Sequence, residues 1–213
     1  MKKLLVCVLL LLCLSACHKK SMRVAILDSG ISEVKGNVIT GYNYIDGTTD
    51  TTDDKGHGSM LAEIILSAAP DCTLVPLKVS CEDRRVNDYV IEAIQDCMDT
   101  YDVDIICMAF SIMESEELHD VIQRADDKGI VMVAAAGNVG NRKDTLFPAG
   151  YEEVINVGAL DSDGDPASYS MVTGVDLFVD GSWKQAQGTS VACAKVAGMF
   201  ASGKYHTRQE VQK

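Results

Sequence analysis

Short apolar runs rich in β-branched residues alternate with stretches of helical periodicity, and this alternation constrains the fold more than any other feature. The runs are VAIL at 24–27, LVPLKV at 74–79, DIICMAF at 104–110, IVMVAA at 130–135 and VINVGAL at 154–160. None shows strict apolar–polar alternation, so each reads as a strand buried on both faces, as in a parallel sheet. Between them the period changes. After His57, Leu61, Ile64, Ile65 and Ala68 share one helical face. After Asn87 the stripe is Val90, Ile91, Ile94, Cys97 and Tyr101. Ser115 is placed as an N-cap, with Glu116 and Glu117 in the first turn, where the helix dipole favours acids. Leu118, Val121, Ile122 and Ala125 form that helix's buried stripe, and Gly129 stands where a helix-ending glycine belongs. Parallel strands need crossover helices, so the expected fold class is α/β with a mostly parallel central sheet and right-handed connections. In such sheets ligands gather at the carboxyl ends of the strands.

The first residues, MKKLLVCVLLLLCLSAC, do not belong to that pattern. Lys2 and Lys3 form a basic n-region. The apolar run that follows is shorter than the roughly 20 residues a membrane-spanning helix needs. It ends in Leu14-Ser15-Ala16-Cys17, which resembles a bacterial lipoprotein signal. The expected organisation is therefore a signal peptide over 1–16, a lipidated tether over 17–22 beginning at Cys17, and one catalytic-size domain over 23–213. An ordinary secretory signal with an incidental cysteine is the alternative; both place the mature protein outside the cytoplasm. Lipidation would make the cell membrane a partner through Cys17.

The formal net charge of −12 argues against nucleic acid as a partner of the globular part. Of the cysteines, Cys7 and Cys13 would leave with the signal. Cys72, Cys81, Cys97, Cys107 and Cys193 remain, none with zinc-site spacing, so no metal and no cofactor are expected. Cys107 and Cys193 lie in apolar surroundings and read as buried hydrophobes. Cys72 has Cys81 or Cys97 as possible disulfide partners in an oxidising compartment.

Four polar residues stand at the strand ends and helix starts. VAIL runs into Asp28-Ser29-Gly30; His57 opens a helix within Gly56-His57-Gly58-Ser59; IVMVAA runs into Ala136-Gly137-Asn138; and Ser190 opens the last long helix in GTSVACAKVAG. Taken singly, each has an ordinary explanation as a turn or capping residue. Together they are an acid, a base, an amide donor and a hydroxyl at one sheet edge. Acyl transfer needs that set. A serine hydroxyl becomes nucleophilic when a base takes its proton, and histidine titrates near neutrality. An acid can hold the imidazole's tautomer, while a helix N-terminus and an amide can meet a developing oxyanion.

The motifs AILDSG, GHGS, AAAGN and GTSVA, in this order, resemble those of the subtilisin-like serine proteases, the subtilases. The resemblance runs from about residue 23 to about residue 205. It implies a three-layer fold with helices on both faces of the sheet. It also implies Asp28, His57 and Ser190 as catalytic triad, and Asn138 with the Ser190 backbone N–H as oxyanion hole. Substrate would lie as an added strand along Ala109, Phe110, Ser111 and Ile112. There the family usually carries Ser-Leu-Gly-Gly, so a narrowed specificity pocket is expected. The opposite wall would fall at 83–87, where Arg84 and Arg85 would either meet acidic substrate residues or be solvated charge.

Other departures are Cys193, Ala194 and Lys195 where the family has Ser or Thr, Pro and His, and Ser59-Met60 after the catalytic histidine. The calcium-binding loop within the histidine helix is missing, and the stretches before Asp28 and after Gly198 are short for a propeptide and for the family's closing elements. The expected function is a lipid-anchored extracytoplasmic serine endopeptidase acting on peptides or proteins. The alternatives are a peptide-binding lipoprotein without turnover, and an esterase, though the serine lacks the G-x-S-x-G elbow of α/β-hydrolases.

Overall fold

A computed structural model describes residues 21–79, 84–140 and 145–211. The signal segment with Cys17, and likewise Cys81 and Asp83, lie outside the described residues. Strand β1 (Arg23–Asp28) is central. It pairs on one side with β4 (Thr73–Lys78) and on the other with β5 (Ile105–Met108), both parallel. Beyond β5 the sheet continues through β6 (Val131–Ala135), β7 (Val154–Leu160) and β8 (Leu177–Asp180), again parallel. Beyond β4 lie the two-residue strands β2 (Asn37–Val38) and β3 (Tyr42–Asn43). Together these make an eight-stranded sheet.

The break between β2 and β3 has a local cause. β2 pairs with Thr73 and Leu74, and β3 pairs with Leu77 and Lys78. The gap falls beside Pro76, which has no N–H to donate. There Gly41 passes so close that a Cβ would sit 1.7 Å from the Pro76 carbonyl oxygen.

Helices cover both faces. Val24 and Ile26 point into one core with α1 (His57–Ala68) and α4 (Thr189–Ala201), while Ala25 and Leu27 point into the other with α2 (Val86–Asp99) and α3 (Glu116–Asp127). The period-2 alternation of a strand thus feeds two cores, which is why these runs read as continuously apolar. α4 is apolar almost all round, as a helix wedged between the sheet and α1 must be. Among the described residues no helix is long and apolar enough to cross a membrane.

Most element boundaries agree with the sequence reading. Ser115 caps α3, its hydroxyl accepting from Leu118 N–H at 3.1 Å, and Gly129 takes φ +79° after its end. α2 closes at Asp99, so Tyr101 lies beyond the helix yet still packs on the same core. Several structures escaped the sequence: the short strands β2 and β3, the edge strand β8, a hairpin of β9 (Ser182–Trp183) and β10 (Ala186–Gln187) just before α4, and a closing 3-10 turn over Arg208–Glu210. The Cys72–Cys97 pairing does not occur. Cys72 packs in the α1–α4 core and Cys97 in the α2–α3 core, with the sheet between them, and both are free.

Candidate active site

The carboxyl ends of β1, β5 and β6 lie at one sheet edge because the strands are parallel and in register. Asp28 ends β1 and is 7 % exposed. The chain then turns through Gly30 at φ +108°, where a Cβ would stand 2.3 Å from the Thr51 carbonyl oxygen. Gly58, in the first turn of α1, packs on the same turn, with room for no side chain against the Gly30 carbonyl. This close packing delivers His57 to Asp28. Its Nδ1 lies 2.8 Å from Asp28 Oδ1 and 2.9 Å from Oδ2. Asp28 Oδ1 also accepts the Ser29 N–H at 2.8 Å. The hydrogen bond to Asp28 raises the His57 pKa above its ordinary value. Burial opposes this, and the charges of Asp28 and Asp53 add to the rise.

Asp53, in the loop between β3 and α1, is the hub beneath this pair. Its Oδ1 accepts from Ser29 Oγ at 2.8 Å and from the backbone N–H of Lys55 and Gly56. Its Oδ2 accepts from Ser59 N–H at 2.8 Å and from the Ser59 hydroxyl at 2.6 Å. Burial works against its charge. The Ser59 and Ser29 hydroxyls and the loop N–H groups outweigh that and bring its carboxyl down to about 2. Gly56, the residue before α1, offers no capping side chain, so Asp53 takes the Ser59 N–H of the first turn, and the Ser29 hydroxyl takes the Gly58 N–H. An acid shortly before the first helical residue was the available sequence signal.

On the other side of the site, Gly137 at φ +109° turns the chain after β6. Asn138 Oδ1 then accepts from Thr189 N–H at 2.9 Å and from the Thr189 hydroxyl at 3.1 Å. Thr189 is fully buried. With its oxygen held by Thr189, the Asn138 amide presents its nitrogen as donor. Gly188 leaves space beside that nitrogen, since a Cβ there would approach it to 3.3 Å. Thr189, which holds the Asn138 side chain, is a second residue of the candidate site that the sequence reading passed over.

Ser190 is the second residue of α4. Its hydroxyl donates to the Ala109 carbonyl at 3.3 Å, and not to His57. Rotation about χ1 between staggered wells moves it off that carbonyl. Ala109 is buried, Phe110 and Ile112 are half-buried and Ser111 is exposed. Ile112 N–H donates to the Phe147 carbonyl at 2.8 Å, which ties the end of this segment to the chain beyond Asn138. On the facing wall Asn87 donates to the Met113 carbonyl at 2.8 Å. Arg85 stacks over the Tyr89 ring at 5.0 Å, while Arg84 is exposed. Ala194 is fully buried, and Lys195 reaches outward to Asp180 at 2.7 Å. Ala194 thus lies one turn beyond Ser190 on the same face of α4, packed in the core.

The family model described as the subtilase family, Peptidase S8, matches residues 19–207. The chain belongs to the subtilase family, the serine endopeptidases of the subtilisin type. Among similar proteins, subtilisin DY of Bacillus licheniformis is 30 % identical over 208 residues, covering 85 % of this chain and 76 % of the relative. Minor extracellular protease Epr of Bacillus subtilis is 29 % identical over 207 residues, and there the match covers 85 % of this chain but only 32 % of the relative. The chain therefore spans about a third of the length of Epr and three quarters of that of subtilisin DY. A solved cold adapted subtilisin-like serine proteinase superposes with a TM-score of 0.74 at 25 % identity, covering 84 % of this chain and 74 % of its own. A lanthipeptide protease gives the same TM-score at 22 % identity, a likeness of fold, covering 90 % of this chain and 79 % of its own.

Proposed function

We propose that this subtilase is a serine endopeptidase that cleaves peptide bonds through an acyl-enzyme, outside the cytoplasm, anchored by lipid on Cys17. The observation that carries the reading is the Asp28–His57 contact at 2.8 Å, at the sheet edge where α4 begins with Ser190. His57, held through Nδ1, keeps Nε2 for the serine proton. Once Ser190 turns from Ala109, that nitrogen accepts the proton as the hydroxyl attacks the scissile carbonyl, and later returns it to the leaving amine. Asp28 fixes the tautomer and stabilises the imidazolium. The developing oxyanion meets the Ser190 N–H, at the positive end of α4, and the Asn138 amide nitrogen. The carbonyl of Ala109, freed by the same rotation, becomes an acceptor for substrate backbone laid along 109–112. Side chains at Phe110 and Ile112 restrict what fits beside it.

The reading is tested with the chain purified in detergent from cells fed an alkyne fatty acid. The wild-type protein is expected to carry the fatty acid and to cleave β-casein or a mixed peptide panel. Ser190→Ala should keep the lipid and lose cleavage, and Cys17→Ala should lose the lipid and keep cleavage. Cleavage that survives Ser190→Ala would contradict the assigned nucleophile. Folded wild-type protein that binds peptides without cutting them would favour the binding-lipoprotein alternative.

A further inference from the structure

We propose that Cys107 and Cys193 are a modification site: a disulfide joins them in the exported protein and clamps the nucleophile helix to the strand that carries the substrate edge. The two sulfurs lie 3.7 Å apart, in contact without a bond. Both residues are fully buried. No other pair of described cysteines is in sulfur contact, and Cys72 and Cys97 sit in separate cores. A disulfide demands side chains that already face one another at close range, and distance alone excludes most cysteine pairs. This pair meets that demand across 86 residues of sequence.

The location gives the bond its consequence. Cys107 lies two residues before Ala109, whose carbonyl holds the Ser190 hydroxyl, and Cys193 lies three residues after Ser190, about one helical turn along α4. β5 is flanked by β1 and β6, with Ile26 and Val133 opposite Cys107 in register. A bond at this point fastens the first turn of α4 to the middle of the sheet, directly under the acyl-transfer site. The inference rests on the export proposed above, which places the chain where disulfides form and persist.

The chemistry is thiol–disulfide exchange with an oxidised dithiol carrier while the chain is still folding, before the sheet and α4 close over the sulfurs. One cysteine thiolate attacks the carrier disulfide and forms a mixed disulfide. The second thiolate then displaces the carrier sulfur. One S–S bond forms and one breaks. The carrier leaves as a dithiol with the two electrons and two protons the cysteines gave up. Burial afterwards keeps both sulfurs from reductants. Neither sulfur takes part in the peptide-bond chemistry proposed above, so this inference fails or holds apart from it.

The test uses the full exported chain purified without reductant, then denatured and treated with N-ethylmaleimide before and after reduction. Before reduction, Cys107 and Cys193 should escape alkylation, and digestion should yield one cross-linked peptide lighter than its two parts by two hydrogens. After reduction both should be alkylated, while Cys72 and Cys97 should react the same way in both samples. Wild type that is reduced in denaturant and refolded with reductant present should melt on the order of 10 °C below the oxidised protein, and the same treatment should leave the midpoint of a Cys107→Ala, Cys193→Ala double variant unchanged. Full alkylation of both cysteines without reduction would overturn the proposal. So would linkage of either one to a different cysteine, or an equal effect of reductant on wild type and double variant.

Discussion

The two sides of the active site are built on different principles. On the acid–base side the carboxylates are held from several directions. Asp28 holds His57 and Ser29, and Asp53 holds Ser29, Ser59 and two loop N–H groups. Gly30 and Gly58 there have backbone where a Cβ would stand. On the substrate side the chain carries bulky side chains at Phe110 and Ile112, and Met113 is 80 % exposed. Arg85 stacks on Tyr89. Proton transfer tolerates little displacement, so its groups are held from several directions. Recognition varies with the side chains an edge presents, and this edge has replaced the family's glycines.

The largest effect that would break the contrast lies at the oxyanion amide. Asn138→Ala should lower kcat by about 10²–10³-fold with little change in KM. That magnitude is the one known for removing this donor in subtilisin itself. A KM effect with kcat preserved would make Asn138 a ground-state binding residue instead.

Next comes the hub of the acid–base side. Asp53→Ala strips α1 of its upstream cap, leaves the Ser59 hydroxyl without its acceptor and leaves the Ser29 hydroxyl with Asp28 alone. It should cost about 2 kcal/mol of stability in urea unfolding. The contribution is present above the ordinary carboxylate pKa and is lost as pH falls toward the folded value of about 2. The variant's deficit should therefore shrink in acid. A deficit that stayed constant down to pH 2 would place the effect in packing.

The substrate side should respond differently. Ile112→Gly or Phe110→Gly is expected to widen the range of residues accepted before the cleaved bond, read as a change in relative kcat/KM over a peptide panel. The preference between large and small residues should shift by about 5- to 150-fold, since one or two apolar contacts discriminate by about 1–3 kcal/mol. An equal loss on every peptide would show that these side chains support the site and do not select substrate.

A smaller effect comes from pH. The hydrogen bond to Asp28 raises the His57 pKa, so the neutral imidazole, the proposed base, prevails only above a midpoint higher than about 6.5. kcat/KM should rise through that midpoint. The stability from the pair runs the opposite way. It is complete below the unfolded histidine pKa and fades as pH rises through the raised folded value. Asp28→Asn should move the kinetic midpoint down, and an unmoved midpoint would detach the titration from this pair.

The same contrast explains what was legible in the sequence. The strands around β1 were readable because a strand buried on both faces is apolar throughout. β8 was not, because it lies at the sheet edge and its residues are only partly buried. Asp28, His57, Asn138 and Ser190 stood out through the short motifs around them. Asp53 and Thr189 did not, because their roles depend on partners distant in sequence: Ser29 lies 24 residues from Asp53, and Asn138 lies 51 residues from Thr189. The Cys107–Cys193 contact has the same character. Each cysteine alone reads as a small hydrophobe, and only the packing of α4 on β5 and β6 brings them together.

The central claim is an assembled, activated nucleophile, and reaction with a serine-reactive fluorophosphonate probe tests it most directly. The account predicts labelling of the folded wild-type chain at Ser190, no labelling of Ser190→Ala, and labelling of His57→Ala slowed by several orders of magnitude. Labelling that is as fast without His57, or absent from a folded wild-type chain, would contradict it.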